Sequence, residues 1–186
     1  MLDYTQLDIM PLVRDIIELI GDNPEREGLK DTPKRVAQMY AEIFSGYYEK
    51  YPNLKTFKSD NNEMIVKSDI TTFSVCEHHI LPMKLKVAFA YIPDGKVVGI
   101  SKIIRLIKWC SARLTIQENL TVMIVDEFMK QVQPKGCMCV IKGHHYCEEM
   151  RGVKTENLTQ TSAIRGVFEK PEVRSEALSL IKNGEE

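Results

Sequence analysis

Apolar residues recur at helical spacing along the start of the chain: Leu7, Met10, Val13, Ile16, Ile17 and Ile20. Residues three and four apart share one helix face, so this spacing predicts a helix over residues 6–20. Gly21-Asp22-Asn23-Pro24 ends it. A second apolar stripe follows in Val36, Met39, Tyr40, Ile43 and Phe44. Asp31 or Thr32 can cap that helix, Pro33 fits its first turn, and Gly46 stops it. The two form a helical hairpin suited to packing or subunit contact. Residues 49–62 are polar and read as a loop.

Extended text then runs from about residue 64 to 74 and again over 85–92, where Val, Phe and Tyr gather. Pro93-Asp94-Gly95 is a turn signal. Pro82 predicts a bend just before the second run. Two amphipathic helices follow. One spans 101–113 around Ile103, Ile104, Leu106 and Ile107, with Ser101 as its cap; the other spans 117–131 around Leu120, Ile124, Phe128 and Met129. Cys137, Cys139 and Ile141 alternate with Met138, Val140 and Lys142, which is strand behaviour. A last strand is expected over 161–168. A closing helix opens at Pro171 and runs through Ala177, Leu178 and Ile181. Paired strands around paired helices predict an α+β fold, an antiparallel sheet under a helical layer. The division expected is 1–60 for hairpin and linker and 61–186 for the main domain.

Composition narrows this picture. The 186 residues are 44% hydrophobic and 27% charged, with a formal net charge of -1. That is an ordinary balance for a chain with a real core, and nothing in it favours nucleic acid. No apolar run approaches membrane-spanning length. The first residues carry acids and no basic segment, so no signal peptide is expected. Five cysteines, an odd number without scaffold spacing, point to a reducing cytoplasm.

The cysteines gain meaning beside the histidines. All four histidines fall in two pairs, His78/His79 and His144/His145, and each pair has a cysteine nearby. Thiolate and imidazole are zinc's preferred donors, and a catalytic zinc keeps three protein ligands and one open position. Cys76 and His79 are three apart and can meet at one ion. Strand alternation would put His145 and Cys147 on one face and His144 on the other. Cys76, His79 and Cys147 then make the economical ligand set, leaving His78 and His145 as free imidazoles for acid–base work. A structural zinc remains open as well, with Cys137 or Cys139 as the fourth ligand, though their alternation favours the core. Cys110 reads as a small buried hydrophobe.

Other polar groups suggest a substrate. Gln117-Glu118 pairs an amide with a carboxylate that can accept two N–H donors of a purine edge, although such a pair at a helix start is more often a solvated cap. Lys102 and Arg105 lie one turn apart, and Arg151 follows Cys147 by four; together they suit a polyphosphate. There is no Walker loop, dinucleotide fingerprint or His-Glu-x-x-His.

With these motifs assembled, the chain resembles the GTP cyclohydrolase I family. The resemblance is carried, in order, by Asn23-Pro24-Glu25-Arg26-Glu27-Gly28-Leu29, Thr32-Pro33-x-Arg35-Val36-Ala37, Cys76-Glu77-His78-His79, Ala90-Tyr91-Ile92-Pro93 and Val98-Gly99-Ile100-Ser101-Lys102. Arg113-Leu114, Gln117-Glu118-x-Leu120-Thr121, His145-x-Cys147, Met150-Arg151-Gly152-Val153, Thr159-x-Thr161-Ser162 and Gly166-x-Phe168 continue it. It implies a tunnelling fold (T-fold) with an antiparallel β-β-α-α-β-β core and an N-terminal helical extension. It implies conversion of GTP and water to 7,8-dihydroneopterin triphosphate and formate, the first step toward folate-type pterins.

The resemblance also implies roles. Cys76, His79 and Cys147 would hold one zinc per subunit, and the ion would make a water acidic enough to attack C8 of guanine. His78 and His145 would move protons, with Glu77 in support. Glu118, helped by Gln117, would hold the guanine edge; Ser101, Lys102, Arg105 and Arg151 would anchor ribose or triphosphate. Subunits would assemble as two stacked pentamers with sites between neighbours. No partner nucleic acid, membrane or long regulatory extension is expected. The chain departs from the family's usual pattern at Met83-Lys84-Leu85 (usually Phe-x-Gly), Ala88, Lys142-Gly143 (usually Glu-Ala), Glu148-Glu149 and Asn157. These touch no proposed ligand or proton carrier. A catalytically altered pterin or purine binder, or a structural zinc module, are the competing readings.

Overall fold

In the computed structural model, residues 9–184 are described. The chain divides into two compact units, Met1–Lys50 and Tyr51–Glu186.

The first unit holds α1 (Ile9–Leu19) and α2 (Thr32–Ile43). Residues 6–8 of the expected first helix lie outside the described residues. Gly21 takes the left-handed backbone, φ 93°, that ends α1. Asp31 is the N-cap of α2, but its side chain caps nothing, and Pro33 occupies the first turn. Gly46 lies in a short 3-10 turn, Ser45–Tyr47, and α2 has already ended at Ile43.

The second unit is built on a five-stranded sheet. Its strands are β2 (Ile65–Cys76), β3 (Pro82–Ile92), β5 (Leu114–Thr115), β6 (Gly136–His145) and β7 (Thr159–Gly166), in the order β5-β2-β3-β6-β7. All neighbours are antiparallel except β2 and β5. A separate pair, β1 (Thr56–Lys58) with β4 (Lys96–Val98), lies in the segment expected to be a loop and after the Pro93 turn. Residues 51–60 therefore belong with the second unit rather than with a linker. The helices are α3 (Ile100–Ser111), α4 (Gln117–Val132), the single turn α5 (Tyr146–Glu149) and α6 (Pro171–Asn183).

Alternation decides which side chains form the core. Met83, Leu85, Val87, Phe89 and Tyr91 of β3 and Cys137, Cys139 and Ile141 of β6 point to one face. They pack with Ile103, Leu106, Ile107 and Cys110 of α3 and Leu120, Ile124 and Phe128 of α4. Phe128 meets Phe89 and Tyr91 edge-on, with centroids 4.7 and 5.1 Å away. On the opposite face Ala88, Ala90, Met138 and Val140 gather with Phe168, Ala177 and Ile181. Strand, strand, helix, helix, strand, strand is the T-fold core implied by the resemblance.

Several local expectations need correction. Ser101 sits inside α3; Gly99 is the N-cap and no side chain caps there. The chain does bend after the histidine pair, and Pro82 itself opens β3, pairing across from Val75, a strand-start position that tolerates a residue without N–H. β6 ends at His145, so Cys147 arrives on the turn α5 and not by strand alternation.

Candidate metal centre and active site

β2 delivers Cys76 at its last position, and the chain then turns sharply. Cys76 N–H donates to Leu81 O, and Ile80 N–H donates to Cys76 O, both at 2.9 Å. Closing this loop forces Ile80 to φ 53°, a left-handed conformation costly for a β-branched residue. The turn folds His79 back toward Cys76, bringing Nδ1 to 3.9 Å from Sγ.

Cys147 completes the group. One donor atom each from Cys76, His79 and Cys147 lie within 4.8 Å of one another. A tetrahedral zinc shell of two sulfurs and a nitrogen has edges of roughly 3.5–4 Å. Closing the observed trio onto an ion thus needs a shift of at most about an ångström. Cys76 is buried and Cys147 half-buried. Burial first, then the Cys76 sulfur beside it, push the Cys147 thiol up. The donor set is the one zinc prefers, and among the described residues it is the group assembled this way. Cys137 and Cys139 are fully buried in the core. Cys139 is six residues up β6 from His145, roughly 20 Å. Neither supplies a fourth ligand.

Around the trio stand the other sequence-predicted groups. Arg151 Nη1 donates to His79 Nε2 at 3.0 Å. The His78 side chain is exposed; its Nε2 lies 3.9 Å from Glu77 Oε1 and its ring meets the His79 ring edge-on. His145 Nε2 lies 2.9 Å from Gln117 Oε1. Glu118 is exposed in the first turn of α4, next to that glutamine. Gln117 itself is fully buried. Its Nε2 donates to Ile141 O, Thr159 O and Thr161 Oγ1 at 3.1–3.2 Å. The Gln117 side chain thus has buried partners at both ends of its amide. Sequence reasoning missed Thr121, Gly143 and Thr161, the residues that house this amide.

Ser101, Lys102 and Arg105 do not join the group. They follow β4 at the start of α3, where Val98 N–H donates to Tyr91 Oη at 3.1 Å. Tyr91 is near the far end of β3 from Met83, which pairs with His145. Eight residues of strand put those ends about 27 Å apart.

Fold and donor set define the class first: a T-fold protein with a candidate Cys2His metal centre at one end of its sheet. The model of the family described as GTP cyclohydrolase I matches residues 9–182. The chain belongs to the GTP cyclohydrolase I family. It is 47% identical over 178 residues to the GTP cyclohydrolase 1 of Clostridium kluyveri, covering 94% of this chain and 96% of that one. To the GTP cyclohydrolase 1 of Pelotomaculum thermopropionicum it is 47% identical over 184 residues, covering 96% and 98%. Among solved structures, an archaeosine synthase QueF-Like in the apo form is similar at TM-score 0.42 and 20% identity, over 63% of this chain and 97% of that chain. No helix among the described residues is long and apolar enough to cross a membrane.

Proposed function

We propose that this chain converts GTP and water to 7,8-dihydroneopterin triphosphate and formate. The observation that carries the reading is the convergence of Cys76, His79 and Cys147 beside His145 and Arg151 in a chain of this family. Zinc, one per chain, is the cofactor that the two thiols and one imidazole would hold; when bound it makes a water acidic and polarises it for attack on the purine ring.

The chain's own groups supply the rest. His78 and His145 carry protons as the imidazole ring opens, formate leaves and the sugar rearranges. His145 is the better placed of the two, being half-buried and held by a hydrogen bond, while His78 is exposed. Glu118 carries the carboxylate for the two N–H donors of the guanine edge. Arg151, beside His79, offers a guanidinium to phosphate. Ser101, Lys102 and Arg105 serve the ribose and triphosphate of a site on a neighbouring copy, because in their own chain they stand at the wrong end of β3. Two stacked pentamers with sites between neighbours are the assembly that accommodates this. Five free cysteines suit a reducing compartment, the cytoplasm.

Incubation of the assembled, zinc-loaded protein with GTP tests the reading. Formate and a pterin that fluoresces after oxidation are expected, and their joint absence would overturn it. A formylated purine intermediate without pterin would instead mark a chain that stops after ring opening.

A further inference from the structure

The Gln117 side chain is fully buried, and it touches His145. We infer that Gln117 is a positioning residue that fixes the tautomer of His145, leaving Nδ1 as the ring atom that receives the proton. The inference deepens the proposed function and rests on it for the role of His145.

The direction of every hydrogen bond in the network can be assigned. Thr121 Oγ1 donates to the Gln117 main-chain carbonyl at 2.7 Å. Its one proton is then used, so in the 2.7 Å contact with Thr161 Oγ1 it accepts. The Thr161 hydroxyl spends its proton there and offers only lone pairs to Gln117, 3.1 Å away. The other two neighbours on that side of the amide, the carbonyls of Ile141 and Thr159, are also pure acceptors. Three acceptors on one side fix the amide with its NH2 toward them, one N–H being shared. The amide oxygen faces His145 Nε2 at 2.9 Å and can only accept. Nε2 must therefore carry the hydrogen. In the neutral ring that leaves Nδ1 as the nitrogen without a hydrogen.

Burial makes this assignment hold. Gln117 and Thr121 are 0% and 1% exposed, and a buried amide turned the wrong way would set its NH2 against a donor. Gly143 supplies the room: a Cβ there would stand 2.1 Å from Gln117 Oε1. The arrangement thus depends on residues from α4, β6 and β7.

The test uses the zinc-loaded, assembled protein. Nitrogen-15 NMR of labelled histidine, with the His145 signals assigned by their loss in His145→Ala, is expected to show a protonated Nε2 and a bare Nδ1 in the neutral ring. Gln117→Met should blur this into a tautomer mixture and lower kcat about 100-fold, with KM within about threefold of the parent. Thr161→Val leaves the carbonyls of Ile141 and Thr159 to hold both N–H groups, so the amide should keep its orientation and the parent tautomer should persist in the NMR spectrum. If Gln117→Met does not fold, the NMR spectra of the parent and of Thr161→Val decide. A hydrogen on Nδ1 in the parent, a rise in KM with kcat unchanged in Gln117→Met, or a tautomer mixture in Thr161→Val would each overturn the inference. A parent that releases no formate from GTP would sink the proposed function, while the NMR result would still judge the role of Gln117.

Discussion

Leu85 stands directly across from Gly143 in the β3–β6 ladder. Both stand out in the sequence as departures from the pattern that the resemblance implies, and the structure joins them. A Cβ on Gly143 would approach Leu85 Cδ2 to 2.7 Å. The larger residue on one strand is matched by the smallest on the next, so the sheet face stays filled. Leu85→Ala should cost about 2–5 kcal/mol by opening a cavity. Gly143→Ala should cost about 1–3 kcal/mol by overpacking. The double variant should cost less than the sum by about 0.5–3 kcal/mol. Urea unfolding at one fixed chain concentration reads all three, and strict additivity would show that the pair is not coupled.

Replacing donors and replacing the proton carrier should have separable effects. Cys147→Ser is expected to lose most of its zinc and all measurable turnover. His145→Ala should keep about one zinc per chain while turnover falls about 10²–10⁴-fold. Metal analysis of the two proteins beside the GTP assay checks this. Loss of zinc in His145→Ala would make His145 a ligand.

Lys102 and the metal trio lie at opposite ends of the sheet, so two broken chains should repair one another. Lys102→Ala and His145→Ala homo-oligomers are each expected to be nearly inactive. Unfolded together and reassembled in equal amounts, they should regain activity at about a quarter of the sites, where the two intact halves meet by chance. No recovery in a mixed oligomer verified by mass would place both halves in one chain.

The five cysteines should sort by reactivity. Burial pushes Cys110 and Cys137 up to about 12, and it pushes Cys139 well above the usual thiol range. At pH 8 a thiol of pKa 12 is about one part in ten thousand thiolate. Chelator-treated, folded protein should therefore be alkylated at Cys147 first and Cys76 next, with the other three silent until denaturation. Added zinc should protect Cys76 and Cys147. Peptide mapping reads the order.

In the first unit, Arg26 donates Nε and Nη2 to the two carboxylate oxygens of Asp22, each at 2.8 Å. Those bonds, followed by the Asn23 N–H, hold the Asp22 carboxyl at about 2, below its ordinary 3.8. A lowered folded-state pKa means the contribution is present above about pH 4 and is lost as pH falls through about 2. Arg26→Ala should return the Asp22 titration toward 3.8, as followed by NMR of the carboxyl carbon.

The long periodic elements were legible in the sequence because one face of each is buried. The stripe in α4 and the alternation in β6 each report a core contact directly. β1 was not legible: three residues, Thr56-Phe57-Lys58, carry no period, and only pairing with β4 makes them a strand. Of the site, the cysteines and histidines announced themselves by rarity. Gln117 did not, since a glutamine beside a glutamate at a helix start reads as a solvated cap. Its burial is decided by Gly143, Ile141, Thr159 and Thr161, all more than twenty residues away. The same distance hid the order in the departures. Asn157 Nδ2 donates to Glu148 Oε1 at 2.8 Å, and Glu149 pairs with His144 at 2.9 Å. Residues that looked like independent oddities are partners.

The separation along β3 also has a genetic consequence. If each chain lends its metal end to one site and the start of α3 to another, a copy with a lesion in one half spoils one site and still completes the next. Two alleles broken in different halves would then partly rescue one another in a cell carrying both, whereas two alleles broken in the same half would not.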